Sequence, residues 1–181
     1  ALDTIEQTYD WLDAPKRLVV VANAGHNAFT DLCGPIRAQG GLSKFAEQVP
    51  ALAPVLPNGK RGTVLIDCGA NVECTAEYLL QFAFMGSFYA RKILGCYNPR
   101  IGLLNNGTEE HKGGMLQHQA YALLKKAGDE GRINFIGNVE APSALSGEID
   151  VLVTDGFTGN ILLKTCEGVT KYMSDGFKGI F

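Results

Sequence analysis

One pattern occurs four times in this chain: an apolar run of strand length ends directly in a glycine accompanied by a carboxamide or carboxylate side chain. The four segments are residues 64–71, 101–109, 133–140 and 151–160. In a parallel α/β sheet every strand delivers its carboxyl end to the same edge, and such folds bind ligands in the crevice outside that edge. The pattern therefore predicts where a site lies before it indicates a reaction.

Strands and helices alternate along the chain. Apolar periodicity and β-branched runs predict strands at 17–22, 63–67, 101–105, 133–136 and 150–154, and helices at 42–48, 73–94, 113–127, 142–146 and 159–175. Three prolines and an Asn58-Gly59 turn make residues 50–59 irregular, because no helix persists through them. Alternation of this kind implies an α/β fold in which a mostly parallel sheet carries helices on both faces.

Composition excludes several classes of protein. The 181 residues are 46% hydrophobic and 19% charged, as in ordinary globular proteins, and the net charge is −3. We expect no nucleic-acid partner, because that would need a basic excess. Five cysteines without CxxC or CxxH spacing predict neither a disulfide framework nor a zinc site, and scattered free thiols fit a reducing cytosol. No segment reaches the roughly 18 apolar residues of a membrane span.

The turns at the strand ends are the candidate site, because no GxGxxG, GxxxxGK, HExxH or GxSxG motif is present. Glycine opens backbone N–H groups to an anion such as phosphate, and helix N-termini favour the same charge. The glycines are Gly69, Gly107, Gly137 and Gly156. The asparagines that add neutral donors are Asn71, Asn105, Asn138 and Asn160. The alternative is structural, since glycine also supplies turns with positive φ and Asn or Asp also caps helices.

Charged residues near these turns are further candidates. Lys112 and His111 follow the second turn and are suited to contact phosphate, while a solvated loop is the alternative interpretation. Lys164, in the first turns of the last helix, is suited to reach the same crevice or to remain an ordinary surface lysine. Asp67 and Asp155, at two strand ends, are suited to orient donors or to hold a proton.

The order and spacing of these motifs match a known family. Residues from about 50 to the end resemble the bacterial phosphate acyltransferases of phospholipid synthesis. The matching segments are residues 50–54, 65–72, 80–87, 99–105, 134–140, 155–160 and 163–165. The resemblance implies a three-layer α/β/α fold with a mostly parallel sheet, related to isocitrate dehydrogenases and phosphotransacetylases. It also implies that the fold is incomplete here, with only the central part of the domain in this chain.

The resemblance further implies a reaction in which inorganic phosphate attacks the thioester of a fatty acyl-acyl carrier protein, without a metal or redox cofactor. On this basis we expect catalytic roles for Asp155, Asn160 and Lys164. The residues expected around the phosphate and the oxyanion are Asp67, Gly69, Asn71, Asn105, Gly107, Lys112, Gly137, Asn138 and Gly156. The partners implied are acyl carrier protein, phosphate, a fatty acyl chain and a second copy of the chain. The location implied is the cytoplasm, with peripheral contact at the inner face of the membrane.

Residues 1–49 do not match that family and resemble the tail of an α/β-hydrolase, with His26 in the place of a catalytic histidine. A working triad also needs a nucleophile elbow and an acid, and neither is recognisable. The sequence thus predicts two pieces, 1–49 and 50–181, and we expect parts of the acyltransferase domain to be missing on both sides. Two other functions stay open: a non-catalytic module that dimerises through the 73–94 helix, and an ester hydrolase built on His26.

Overall fold

The computed structural model describes residues 20–21 and 50–178, so the predicted helix at 42–48 and His26 lie outside the described residues. The strands are β1 (Val20–Val21), β2 (Ala51–Leu52), β3 (Val55–Leu56), β4 (Thr63–Ile66), β5 (Arg100–Leu104), β6 (Asn134–Val139) and β7 (Val151–Val153). The helices are α1 (Ala76–Lys92), α2 (Met115–Asp129), α3 (Ser143–Ser146) and α4 (Gly156–Lys178). Of the strand predicted at 17–22, the described part is β1.

Five strands form one sheet in the order β3-β4-β7-β5-β6. β4, β7, β5 and β6 run parallel to one another, and β3 pairs antiparallel with β4 at one edge. β1 and β2 form a separate parallel pair. β7 comes last in the chain yet lies in the middle of the sheet, between β4 and β5. The mostly parallel sheet that the alternation predicts is confirmed.

Helices cover both faces of this sheet. On one face, α1 and α2 bury side chains such as Phe82 and Leu124 against one set of alternating strand residues. On the other face, α3 and the first turns of α4 cover the opposite set, which includes Leu65 and Leu152. Burying a side chain as large as Phe82 stabilises the fold by about 2 to 3 kcal/mol. The structure is therefore the three-layer α/β/α arrangement that the resemblance implies.

Two boundaries differ from the prediction in ways that change the site. The strand predicted at 133–136 continues to Val139 as β6, because Gly137 adopts a φ of 99° where the pairing with β5 shifts register. Gly137 and Asn138 consequently lie inside the strand and not beyond its end. The helix predicted at 159–175 begins at Gly156, so that Asn160 lies in the second turn of α4.

Two other differences from the predicted boundaries have local causes. α1 begins at Ala76 because the Thr75 hydroxyl accepts a hydrogen bond from the Tyr78 N–H at 3.4 Å and caps the helix. The stretch predicted to be irregular at residues 50–59 contains β2 and β3, each of two residues, and two residues are too few to give an alternating pattern.

α4 carries apolar side chains that the described part of the chain leaves exposed. They are Phe157, Ile161, Val169, Tyr172, Met173 and Phe177. Among the described residues, no helix combines the length and the apolar character that crossing a membrane requires.

Candidate functional site

The loop after β4 and the start of α4 meet at the carboxyl edge of the sheet, and we call residues 67–71 together with 155–160 the β4/α4 corner. β4 and β7 are paired neighbours, so the chain leaves both strands side by side. The Gly156 N–H donates to the Asn71 carbonyl at 2.8 Å. A Cβ placed on Gly69 would lie 3.7 Å from Asn160 Oδ1. The corner therefore brings together six of the predicted residues: Asp67, Gly69, Asn71, Asp155, Gly156 and Asn160.

The carboxylate of Asp67 organises this corner from a fully buried position. Its Oδ1 accepts hydrogen bonds from the backbone N–H groups of Leu52 (2.8 Å), Cys68 (2.7 Å) and Ala70 (3.2 Å). Its Oδ2 accepts from the Asn71 N–H (2.7 Å) and the Asn71 side-chain amide (3.0 Å). These donors use the acceptor capacity of a carboxylate, so Asp67 shapes the loop and has no oxygen left for a ligand.

Replacing Asp67 with asparagine is expected to destabilise the protein by about 2 kcal/mol, because an amide N–H₂ would then face backbone N–H donors in a buried site. Urea unfolding of the two proteins measures the difference. Asp129→Asn is the matched control, since Asp129 is exposed on α2 and is expected to change stability by less than about 0.5 kcal/mol. Equal stability of the two variants would contradict the role assigned to Asp67.

Two other predicted residues of the corner are also occupied by local contacts. The side-chain amide of Asn71 donates to the Pro50 carbonyl at 2.6 Å as well as to Asp67. The carboxylate of Asp155 caps α4, because it accepts the Thr158 N–H and the Thr158 hydroxyl, each at 2.8 Å. Both side chains hold the corner in shape.

Asn160 differs from these residues. Its exposed side-chain amide has no hydrogen-bond partner among the described residues, and the same is true of the Gly69 N–H beside it. Lys164 lies one turn further along α4, where its ammonium pairs with Glu167 at 2.8 Å. Within the described part of the corner, Asn160 is thus the side chain with free donors.

The second part of the edge is residues 105–114, which we call the β5–α2 loop. The Asn105 amide donates to the Lys112 carbonyl at 3.0 Å. The aliphatic part of the Lys112 side chain packs over Gly107, since a Cβ placed on Gly107 would lie 2.8 Å from Lys112 Cγ. The Lys112 ammonium has neither a hydrogen bond nor an ion pair among the described residues. The loop therefore carries a partly buried lysine whose ammonium is unpaired among the described residues.

Asn138 supports this loop from β6. It is 4% exposed, and its amide donates to the Glu109 carbonyl at 2.8 Å. Its Oδ1 is buried without a partner among the described residues. Gly137 lies elsewhere, because it lines a cavity of about 350 Å³ between α2 and β6 together with Tyr121. The structure thus brings Asn138 to the loop and places Gly137 away from the other candidates.

The corner and the loop share one edge of the sheet. The corner follows β4 and β7, the loop follows β5, and β7 pairs with both β4 and β5, so the two parts leave neighbouring strands that lie about 4.8 Å apart. The N-terminus of the 23-residue helix α4 adds partial positive charge to the same edge. Among the described residues, no group of three His, Cys, Asp or Glu side chains is placed to hold a metal ion. The arrangement offers neutral and cationic donors to an anion.

Two cysteines near the corner are held as thiols. Burial, with Asp67 nearby, raises the pKa of Cys68 to about 12. Burial also raises the pKa of Cys74 to about 11, although the Gly156 N–H opposes this shift. The thiolate is the nucleophilic form of cysteine, so neither side chain is prepared to act as a nucleophile at neutral pH.

Sequence reasoning missed several residues that build the site. Glu110 accepts hydrogen bonds from Tyr121 and Lys125, and Gly159 contacts the Asp67 carbonyl so closely that a Cβ there has no space. These partners are far apart in the chain, and no local pattern links them. Of these residues, only Gly159 could have been found from the sequence, because it belongs to the glycine-rich segment at the start of α4.

Two solved structures with the same fold are a phosphotransacetylase and a phosphotransacylase. EutD phosphotransacetylase from Staphylococcus aureus matches with a TM-score of 0.52 and 18% identity, over 65% of this chain and 41% of its own. A branched-chain phosphotransacylase from Enterococcus faecalis V583 matches with a TM-score of 0.50 and 16% identity, over 91% of this chain and 78% of its own. At these identities the likeness shows the fold alone, and the phosphotransacetylase-like fold that the resemblance implies is confirmed.

The sequence comparisons define the family. The model of the family described as fatty acid synthesis protein matches residues 20–179, and the chain belongs to this family. The phosphate acyltransferase of Campylobacter jejuni subsp. jejuni serotype O:23/36 (strain 81-176) is 46% identical over 154 residues, which are 85% of this chain and 44% of that protein. The phosphate acyltransferase of Pelotomaculum thermopropionicum is 54% identical over 120 residues, which are 66% of this chain and 34% of that protein.

These matches confirm the resemblance to phosphate acyltransferases. The chain spans less than half the length of either relative, at 44% and 34%. The family match begins at residue 20, inside the segment that resembles a hydrolase tail. The division of the chain at residue 49 stays a prediction.

Proposed function

We propose that this protein transfers a fatty acyl group from the thioester of acyl carrier protein to inorganic phosphate, and that the carboxyl edge of the sheet is the site. One observation carries the proposal: the Asn160 amide and the Lys112 ammonium are free among the described residues, while Asp67 and Asp155 beside them are occupied by hydrogen bonds. The name phosphate acyltransferase, which both relatives carry, supports the reaction class.

In the proposed step, an oxygen of hydrogen phosphate forms a bond to the thioester carbonyl carbon. The carbon–sulfur bond then breaks, and the leaving thiol takes up the proton that phosphate gives up. Before the carbon–sulfur bond breaks, negative charge develops on the carbonyl oxygen. Hydrogen-bond donors that are already placed around this oxygen lower the barrier. We assign the phosphate charge to Lys112 and the oxyanion to the Asn160 amide and the Gly69 N–H.

In the proposal, most of the other predicted residues hold Lys112, Asn160 and Gly69 in place. Asp67, Asn71 and Asp155 fix the corner through the hydrogen bonds described above, and Asn105 and Asn138 fix the loop. Gly107 and Gly156 allow close approach of the chain, since a Cβ at either position would meet neighbouring atoms. Lys164 lies one turn beyond Asn160, and its ammonium is held by Glu167. The raised pKa of Cys68 and of Cys74 favours direct attack by phosphate over an acyl-enzyme on either thiol.

We further propose that a second copy of the chain and the inner face of a membrane are partners. The apolar side chains that α4 leaves exposed, including Tyr172 and Phe177, support an additional contact there. α1 offers less for this purpose, because Phe82 and Leu79 lie in the core. A dimer would therefore use α4 in preference to the helix predicted at 73–94.

The proposed reaction is tested by incubating the protein with acyl-acyl carrier protein and phosphate and trapping acyl phosphate with hydroxylamine. We expect product that depends on phosphate and is not formed with sulfate. The test is run on this chain. Thioester cleavage that is independent of phosphate would contradict the proposal. Absence of turnover would favour a non-catalytic module, and loss of ester hydrolysis in His26→Ala would favour a hydrolase.

A further inference from the structure

Three contacts tie the β5–α2 loop to the helix that follows it. Glu110 Oε1 accepts a hydrogen bond from the Tyr121 hydroxyl at 2.9 Å and from the Lys125 ammonium at 2.7 Å. We call these three residues the Glu110 clasp. The His111 carbonyl accepts from His118 Nε2 at 2.9 Å, and Nε2 must carry the proton because a carbonyl only accepts. Hydrogen bonds thus hold the loop to the first three turns of α2.

The clasp is itself anchored to the sheet. The Tyr121 ring packs edge-on against Phe135 of β6, with centroids 5.4 Å apart and planes at 72°. The Lys125 ammonium lies 5.8 Å from the centre of the same ring. The hydrogen bonds from Lys125 and Tyr121 also hold the pKa of Glu110 below its usual value, so its carboxylate is ionised at neutral pH. Both donors therefore meet a charged acceptor in a fixed place.

The opposite side of the loop is fixed as well. The Glu109 carbonyl accepts from the Asn138 amide at 2.8 Å and from the Lys112 N–H at 3.1 Å. Lys112 follows Glu110 by two residues, and its carbonyl accepts from Asn105 at 3.0 Å. Lys112 consequently stands between a buried support on β6 and the clasp on α2.

The clasp is too exposed to matter much for folding. The side chains of Lys125 and Glu110 are 50% and 63% exposed, and ion pairs at such sites add little to stability. Tyr121 and Lys125 both donate to one oxygen of Glu110, which precedes Lys112 by two residues. Restricting a flexible lysine before substrate arrives lowers the entropic cost of binding its anion.

We propose that the Glu110 clasp is a positioning device that holds the Lys112 ammonium at the phosphate subsite. This inference rests on the proposed function, because it takes Lys112 as the phosphate contact. Glu110, Tyr121 and Lys125 are positioning residues, since they act on phosphate only through the loop that carries Lys112.

The test compares Glu110→Gln and Tyr121→Phe with the parent protein in the phosphate-dependent assay. We expect the KM for phosphate to rise about fivefold in Glu110→Gln and about threefold in Tyr121→Phe, while the KM for the acyl donor stays unchanged. Glu130→Gln is the matched control, because Glu130 forms an exposed ion pair with Arg132 outside the loop. An unchanged KM for phosphate in both clasp variants would overturn the proposal.

A double-mutant cycle shows whether the clasp acts through Lys112. In a Lys112→Met background, Glu110→Gln is expected to change the KM for phosphate by less than about 1.5-fold, because the group it positions is gone. A full additive effect in that background would overturn the proposal.

A second measurement does not depend on activity. Amide hydrogen exchange of residues 106–112 is expected to speed up in Glu110→Gln, with the urea midpoint unchanged. Unchanged exchange would count against the clasp even in an active enzyme. A parent protein that forms no acyl phosphate, but whose loop exchanges faster in the variant, would instead contradict the proposed function and leave the loop restraint in place.

Discussion

Asn160→Ala is expected to slow acyl phosphate formation by about 100-fold or more, because one donor to a developing oxyanion is typically worth about 100- to 1000-fold in rate. The effect should fall on kcat, since the oxyanion exists only near the transition state. Initial rates at saturating acyl donor and phosphate measure it. The folded structure should persist, because the Asn160 amide has no hydrogen-bond partner among the described residues to lose.

Two further variants sharpen this result. Asn160→Asp keeps the shape of the side chain but places a negative charge beside the developing oxyanion, so we expect a loss at least as large. Thr165→Ala, on an exposed position of the same helix, is expected to keep the parent rate. If Asn160→Ala turned over like Thr165→Ala, the assignment of the corner as the site would be wrong.

Gly159→Ala is expected to destabilise the protein by about 3 kcal/mol, at the upper end of the usual range for overpacking. A Cβ at this position would collide with the backbone carbonyl of Asp67 and lie 2.9 Å from Thr154 Cγ2. Backbone atoms do not move aside as a flexible side chain does. The start of α4 would separate from the loop after β4. The β4/α4 corner would lose its shape, and acyl phosphate formation would be lost with it. Urea unfolding and the acyl phosphate assay report the two effects.

Gly168→Ala is the control on the same helix. A Cβ at Gly168 has no atom within 4 Å, so this change removes the flexibility of glycine without a clash. It is expected to stabilise the protein by up to about 1 kcal/mol through helix propensity. Gly159→Ala with the stability of Gly168→Ala would show that the close contact with Asp67 does not exist in solution.

The sequence predicted the layout of this molecule well because layout follows from patterns that repeat. Alternating apolar runs identified the parallel sheet, and the strand endings placed Asp67, Asn105 and Asp155 at one edge, as the structure has them. The prediction was wrong at β6, where Gly137 lets the strand continue past the expected turn. A single positive φ there changes which residues end the strand.

What each polar side chain does could not be predicted in the same way. Asn71, Asn138 and Asn160 look alike in sequence, yet two of them donate to the carbonyls of Pro50 and Glu109. Only the third is left without a partner in the described part of the chain. The difference depends on backbone groups 21 and 29 residues away, respectively, and no local pattern records those distances.

The place of β7 in the sheet bears on how the chain folds as it is synthesised. β4 and β5 leave the ribosome long before β7, and both must wait for residues 151–153 before their facing edges are paired. Until then two apolar strands stay open to other chains, which is the condition that favours aggregation and chaperone binding. Chains that stop before residue 151 would lack the central strand, so premature termination should yield insoluble protein instead of a smaller stable domain.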